Sequence, residues 1–384
     1  MWYNRKDSKI CEVLFVYVES IRLINFRNYS SLNVDFHKNL NIFLGKNAQG
    51  KTNLLESIYM CSSGKSFRTN KDREIINFEK DKSYIGAKVV RENTEKLIEI
   101  KLEREKAKTI RINKVELNKN RELYVGLNVV AFSPEDLSLI KGGPVERRNF
   151  LDNEISQIKP VYRYNLNRYN KILFQRNSLL KNIKGKEYNK YLLDVFDFQL
   201  AKIGTEIVLE RIKFIRKLSD ISKSIHRSIT NGIEDLSLVY LSNVGMETGD
   251  KATIEKKFLE NIKKNIKNDI FKGSTEIGPH RDDIEILING INSRSFASQG
   301  QQRTAVLSMR LAEVELINEE KNEYPVLLLD DVLSELDSDR RRYLISTFKE
   351  LQTIITSTDS IDIDEFAHLD KKVFYIEKGT VKQS

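Results

Sequence analysis

Eight consecutive residues, Gly45-Lys46-Asn47-Ala48-Gln49-Gly50-Lys51-Thr52, constrain this chain more than any other stretch. They fit the phosphate-loop pattern G-x-x-x-x-G-K-[ST], which needs a strand before it and a helix after it. Both are present. Leu40 to Leu44 is a short apolar run of buried-strand type, and Asn53 to Tyr59 sets Leu54, Leu55, Ile58 and Tyr59 on one helical face. In that context the backbone N–H groups and the helix N-terminus cradle phosphate oxygens. Lys51 neutralises the terminal phosphates and the Thr52 hydroxyl can hold Mg²⁺. A chance glycine turn would not bring both flanking elements with it.

A chain of 384 residues has room for two or three cores. Its +9 charge hints at an anionic partner, but basic balance alone is common, so the placement of the charge matters more. Cys11 and Cys61 show neither metal nor disulfide spacing, which points to a reducing, cytoplasmic home. No apolar run approaches the ~18 residues that a membrane span needs. Residues 1–15 have no leader-like pattern and read as a non-native or mis-assigned extension, with Val16 as an alternative initiator.

From Val18 to Phe132 the texture is β-rich. Ile21 and Leu23 begin an alternating strand whose hairpin partner contains Val34-Asp35-Phe36. Ile98, Ile100 and Leu102 alternate with charge, as do Ile110 and Ile112 before an Asn113-Lys114 turn, as a half-solvated antiparallel sheet requires. Arg68 and Arg73, after the phosphate-loop helix, are candidates for nucleotide or DNA phosphate, or are solvated loop arginines.

At Ser133 the pattern turns helical, with Ser133 as N-cap, Pro134 at the first position and acids following. Apolar residues at three- and four-residue spacing, Phe196 to Ile225, predict one long helix or a pair broken near Gly204. The helical texture runs to about Ile270. Within it, residues 159–190 hold nine Lys/Arg against one acid: Lys159, Arg163, Arg168, Lys171, Arg176, Lys181, Lys184, Lys186 and Lys190. Tyr162, Tyr164, Tyr169, Phe174 and Tyr188 are interleaved with them. This mixture suits nucleic acid, the alternative being a solvated helix face with its aromatics turned inward.

The β texture returns with Ile284, Ile286 and Ile288 before an Asn289-Gly290 hairpin. Ser298-Gln299-Gly300-Gln301-Gln302-Arg303-Thr304 then forms a polar turn opening a helix, a second N-terminus with N–H groups free for an anion. Val326 to Asp330 is a parallel-type strand ending in Asp330-Asp331. Two carboxylates there, with a phosphate loop elsewhere in the sheet, make a Mg²⁺–nucleotide centre: Asp330 holds the metal and Asp331 orients or deprotonates the attacking water.

In combination, Gly45–Thr52, Ser298–Gln302, Asp330-Asp331 and Ser334–Asp337 resemble the A, signature, B and D-loop elements of ABC-type ATPases. Leu23-Ile24-Asn25-Phe26-Arg27-Asn28-Tyr29, Phe132–Leu137, Gly278-Pro279-His280-Arg281-Asp282-Asp283 and Leu329–Asp337 resemble the RecF family, within the SMC-like branch. The resemblance implies an α/β ABC-type head, a mixed sheet with the phosphate-loop core plus an antiparallel β lobe, over 16–132 and 276–384. A compact helical arm, 133–275, would be inserted in it. It implies ATP and Mg²⁺ as cofactors, with Asn53, Ser298, Gln299, Gly300, Gln301 and Thr358 joining the phosphate loop around the nucleotide. It also implies an ATP-dependent homodimer in which one copy's signature turn caps the other's nucleotide. DNA at gaps or junctions, RecR-like and RecO-like mediators and the RecA recombinase are the implied partners. Many ABC ATPases carry Glu where Asp331 stands and His where Thr358 falls, so slow hydrolysis, used as a switch, is expected. Another SMC-like ATPase of DNA metabolism, a transport ATPase subunit and a nuclease-coupled ATPase remain as alternatives.

Overall fold

The computed structural model describes residues 15–92, 94–117, 126–183, 190–245, 249–358 and 363–384, with only the backbone described at 190, 335, 363 and 364. Lys184, Lys186, Tyr188 and residues 1–14 lie outside that set. Contacts divide the chain into two units, one of residues up to Ser133 with Val314–Ser384, the other Pro134–Glu313.

The first unit contains two six-stranded sheets. The antiparallel one runs in the order β2-β1-β4-β5-β6-β7, from β1 (Val16–Phe26), β2 (Tyr29–Asp35), β4 (Lys82–Arg91), β5 (Thr94–Glu103), β6 (Lys106–Ile112) and β7 (Val115–Glu116). Alternation along β5 sends Ile98, Ile100 and Leu102 into the core and charge outward. Asn113 and Lys114, both at positive φ, make the expected turn between β6 and β7. The second sheet runs β15-β14-β3-β13-β12-β8, from β3 (Leu40–Leu44), β8 (Val129–Phe132), β12 (Val326–Asp330), β13 (Thr353–Ser357), β14 (Lys371–Glu377) and β15 (Thr380–Gln383). Strands β14, β3, β13, β12 and β8 are parallel, and β15 folds back on β14 as an edge hairpin.

Helix α1 (Lys51–Ser63) packs against strands of both sheets, so Glu56, Ser57 and Ser62 are buried along with Leu54, Leu55 and Ile58. A single-faced helix was expected; a helix covered on both sides is found. One apolar cluster runs through both sheets, from Ile21 and Leu23 to Phe43, Leu328 and Ile354. Phe43 and Phe374 stack at 4.5 Å across the β3–β14 pair.

The second unit starts with the short helix α2 (Ser138–Lys141), preceded by a 3₁₀ turn over Pro134–Leu137. Helices α3 (Pro144–Ile158), α4 (Pro160–Ile183) and α5 (Lys190–Ile229) follow, then β9 (Leu236–Leu241), α6 (Lys251–Lys264) and α7 (Ile266–Lys272). Next come β10 (Asp283–Ile288), β11 (Ile291–Asn292), α8 (Ser293–Phe296) and α9 (Gln299–Lys321), whose residues from Val314 on belong to the first unit, as does α10 (Ser338–Ser346). Helix α5 is one element across Gly204. The glycine serves close packing there, because a Cβ would lie 2.4 Å from the Phe258 ring and 3.0 Å from that of Tyr169.

Strand β9 interrupts what the sequence presents as helix. It pairs with β10 from Ile288↔Leu236 to Asp283↔Leu241 and so ties residues 283–292 to the arm. The division by contacts falls at 313/314, within α9.

Candidate functional site

The phosphate loop leaves β3 at the level where β13 crosses between β3 and β12. Ser357 pairs with Leu44, and Thr356 pairs with Phe43 on one side and Asp330 on the other. The Gly45 N–H donates to Ser357 O at 3.2 Å. Lys51 Nζ folds back over the loop, donating to the carbonyls of Gly45 and, at 3.0 Å, Lys46. No side chain caps α1 at Gly50, as suits a helix start that would receive a phosphate.

Three neighbours fix the loop from outside. Tyr29 Oη donates to Gly50 O at 2.9 Å, and burial pushes that phenol's pKa up, keeping it a neutral donor. Asn28 Nδ2 donates to Gln49 O at 2.9 Å, and the Lys378 N–H donates to Gln49 Oε1 at 2.6 Å. Gly50 sits at φ 116°, and a Cβ on it would come within 2.7 Å of Asn28 Nδ2 and 2.9 Å of Tyr29 Oη. The cradle therefore requires glycine at that position.

Around the start of α1, Asn53 donates to Asn28 Oδ1 at 2.8 Å and accepts from Arg68 Nη1 at 2.8 Å. Glu56, fully buried, accepts the Arg27 guanidinium through two bonds of 2.9 and 2.6 Å and a bond from Ser66 Oγ. Arg68 is thus brought beside the loop. Arg73 is exposed on the 3₁₀ turn Asp72–Glu74.

At the end of β12, Thr356 Oγ1 donates to Asp330 Oδ1 at 2.6 Å. Asp331 holds a left-handed φ of 54°, its N–H donates to Thr356 O at 3.1 Å, and its carboxylate accepts from Ser334 Oγ at 3.3 Å. The backbone thus turns between the two carboxylates. Thr358 follows directly on β13 and is half-buried. The donor set fits a nucleotide with Mg²⁺: a glycine cradle closed to a Cβ at Gly50, a lysine, a hydroxyl at Thr52 and a carboxylate oriented by Thr356. Asp330 and Thr52 would hold the ion, which neutralises charge on phosphate oxygens.

The Ser298 turn lies in the second unit. Ser298 and Gln299 are exposed. The Ser298 N–H donates to Gln301 Oε1 at 2.8 Å while the Gln301 N–H donates to Ser298 Oγ at 3.2 Å, a reciprocal capping box. The Gln302 N–H donates to Ser298 O, so Gln299 and Gly300 retain the outermost N–H groups of the helix end.

In the arm, Arg176 contradicts its assignment to DNA. It is fully buried, donating to Asp197 at 2.7 Å, Asp269 at 2.8 Å and Thr275 Oγ1 at 2.7 Å, which ties α4, α5 and α7 together. Buried charges need partners, and these partners are distant in sequence. Arg168, Lys171 and Lys181 are exposed, Arg163 is half-buried, and Lys159 is paired with Glu210 at 2.7 Å. Tyr162 and Tyr169 are core residues, whereas Tyr164 and Phe174 face outward.

The Gly278–Asp283 string is also internal. Asp282 accepts from Tyr240 Oη, from the Asn243 N–H at 2.7 Å and from Arg211 at 3.3 Å, and Asp283 accepts both arms of Arg147 at 2.6 and 2.9 Å. His280 Nε2 donates to Thr275 O at 2.9 Å, which leaves Nδ1 to accept from Tyr169 Oη at 2.8 Å. Burial pulls this imidazole's pKa down to about 4, so it is neutral.

Thr356, Glu56 and Gln49's contact with Lys378 had no signal in the sequence. The Ser298…Gln301 spacing, by contrast, is a legible capping box.

Residues 17–382 match the family model for the RecF/RecN/SMC N-terminal domain. The DNA replication and repair protein RecF of Alkaliphilus oremlandii is 50% identical over 365 residues, covering 95% of this chain and 99% of that protein. RecF of Clostridium tetani is 49% identical over 364 residues, with the same coverage. A solved structure of the recombination mediator protein RecF with ATP, in the RecFOR pathway, is 38% identical with a TM-score of 0.90, covering 96% of this chain and 98% of that one. An Smc head domain from Pyrococcus furiosus, 16% identical at a TM-score of 0.54, shares the fold. With the fold, the phosphate cradle and these relatives in agreement, the chain belongs to the RecF family, with the α/β head of SMC-like ATPases.

Proposed function

We propose that this chain is an ATP-switched, DNA-binding mediator of recombinational repair. Nucleotide binds at Lys51 and Thr52 of one copy, and Ser298, Gln299 and Gly300 of a second copy close over its γ-phosphate. The observation that carries this reading is the exposed Ser298 turn. Ser298 Oγ is fixed as an acceptor for the Gln301 N–H, so its own hydrogen remains to be donated outward beside the Gln299 and Gly300 N–H groups. Such a cluster of donors suits the phosphate of another molecule.

Asp331 orients or deprotonates water one methylene short of the usual Glu reach, and Thr358 contributes no imidazole. Hydrolysis is therefore slow and resets the dimer, with DNA stimulating it. Arg168, Lys171 and Lys181, flanked by the outward Tyr164 and Phe174, supply phosphate contacts to DNA, joined by Arg163 and Arg68. Gapped or junction duplexes, RecR-like and RecO-like mediators and RecA loading complete the reading through the family resemblance, in a cytoplasmic setting. Among the described residues, no helix is long and apolar enough to cross a membrane.

Sedimentation velocity with ATP and Mg²⁺ tests the switch. A dimer that Lys51→Met and Ser298→Arg each abolish supports it, and a monomer under every nucleotide condition refutes it.

A further inference from the structure

The capping box at Ser298 is itself held from behind. Gln301 uses its side-chain oxygen for the Ser298 N–H, and its Nε2 donates to Glu234 Oε1 at 2.9 Å. Glu234 lies in the connection between α5 and β9, where its N–H bonds Thr230 Oγ1 at 3.4 Å. Its other oxygen, Oε2, meets His226 Nε2 at 3.1 Å. A carboxylate only accepts, so Nε2 carries the proton in that bond. His226 is fully buried in the last turn of α5, and its Nδ1 shares a 3.0 Å bond with Ser308 Oγ on α9. The chain of contacts leaves α9 at Gln301 and returns to the same helix at Ser308.

This closed path determines the orientation of one amide. Flipping Gln301 would set NH₂ against the Ser298 N–H and oxygen against a carboxylate, so both ends reject the flip. Without Glu234 only one end does. With that end alone resisting, the Ser298 N–H loses the fixed acceptor that immobilises it, while Ser298 Oγ keeps its bond from the Gln301 N–H and the helix itself, buried through Val306, Met309 and Ile317, persists.

We propose that Glu234 and His226 are positioning residues for the Ser298 turn: through Gln301 they keep the Ser298 hydroxyl and the Gln299 and Gly300 N–H groups aimed outward as one rigid donor cluster. The inference rests on the reading that this turn caps a nucleotide held by a second copy.

The full-length chain is compared with Glu234→Ala, Glu234→Gln, Gln301→Ala and the Glu234→Ala/Gln301→Ala double variant. Ser298→Arg is the control. Readouts are ATP affinity by equilibrium titration of dilute protein and the ATP-dependent dimer constant by sedimentation, with thermal melts alongside. Glu234→Ala is expected to weaken dimerisation about five- to tenfold, the size of one lost cap. ATP affinity of the monomer should stay within twofold. Glu234→Gln, which can still accept from Gln301, should restore most of the loss. In the double variant the effect of Glu234→Ala should vanish, because it acts only through Gln301.

Unchanged dimerisation in Glu234→Ala, or a loss that adds in full to that of Gln301→Ala, overturns the proposal while leaving nucleotide capping intact. Should Glu234→Ala not fold, dimerisation of Gln301→Ala at wild-type strength overturns it equally. If Ser298→Arg still dimerises, the capping reading fails, and this inference with it.

Discussion

Thr356 and Asp330 are joined by a 2.6 Å hydrogen bond across the parallel pair of β13 and β12, and both side chains are buried. The bond fixes the rotation of the Asp330 carboxylate at the end of β12. Thr356→Val keeps the shape and deletes the donor, a loss of about 1–2 kcal/mol in orienting the carboxylate. Calorimetric ATP binding with Mg²⁺ should weaken about tenfold, while binding in excess chelator should not change. Equal weakening with and without the metal would show that Thr356 acts on the cradle and not on the cation.

Gly50 is a position at which the phosphate loop has no room for a side chain. At φ 116° with Asn28 and Tyr29 within 3 Å of any Cβ, Gly50→Ala meets both backbone strain and collision. The expected cost is about 1–3 kcal/mol in stability. Nucleotide affinity should fall more than tenfold, since the Gly50 carbonyl and the α1 N-terminus shift together. Fluorescent-nucleotide titration beside a denaturant melt checks both values, and unaltered affinity would contradict the described cradle.

Arg176 and Lys171 lie five positions apart on α4 and should behave as opposites. Arg176→Ala leaves Asp197 and Asp269 buried without their cation, which costs about 3–5 kcal/mol of stability. Lys171→Ala, at an exposed position, should leave the melt within about 0.5 kcal/mol. Combined with Arg168→Ala and Lys181→Ala, it should lower DNA affinity and flatten its salt dependence by about one unit of slope per lost phosphate contact. A stable Arg176→Ala protein with impaired DNA binding would restore the residue to the surface role expected from sequence.

His280 makes the arm sensitive to acid. Its folded-state pKa, about 4, lies below the ordinary 6.5, so between those values the unfolded chain binds more protons than the folded one. Stability therefore rises with pH through that window and is lost on acidification. From pH 6.5 to 5 the group contributes a loss of about 1.5 kcal/mol. His280→Gln should remove that share of the pH dependence in urea melts at the two pH values. An identical pH slope in wild type and variant would exclude it.

The phosphate loop was legible because its meaning is local: strand, glycine turn and helix lie within twenty residues, and each has its own periodicity. The Asn289-Gly290 hairpin was legible for the same reason, with the turn chemistry and the alternating isoleucines adjoining. Strand β9 was not. Leu236, Leu238 and Tyr240 alternate over only six residues between two helices, and their partner β10 lies more than forty residues on. The basic stretch 159–190 misled at Arg176 because composition cannot say which cation turns inward. That depends on Asp197 and Asp269, brought together only when α4, α5 and α7 pack. The Ser298 turn could be placed at a helix start, but Glu234 and His226 behind it reach α9 only through the fold.

Strand β13, lying between β3 and β12, has a consequence for how this ATPase can vary. The gap separating Lys51's loop from Asp330 is two strand spacings, about 10 Å, measured out by peptide ladders on either side of Thr353–Ser357. Ile354 and Ile355 can therefore drift among apolar neighbours over evolutionary time without retuning the catalytic ruler, whereas inserting or deleting a single residue in that strand would misalign both edges at once.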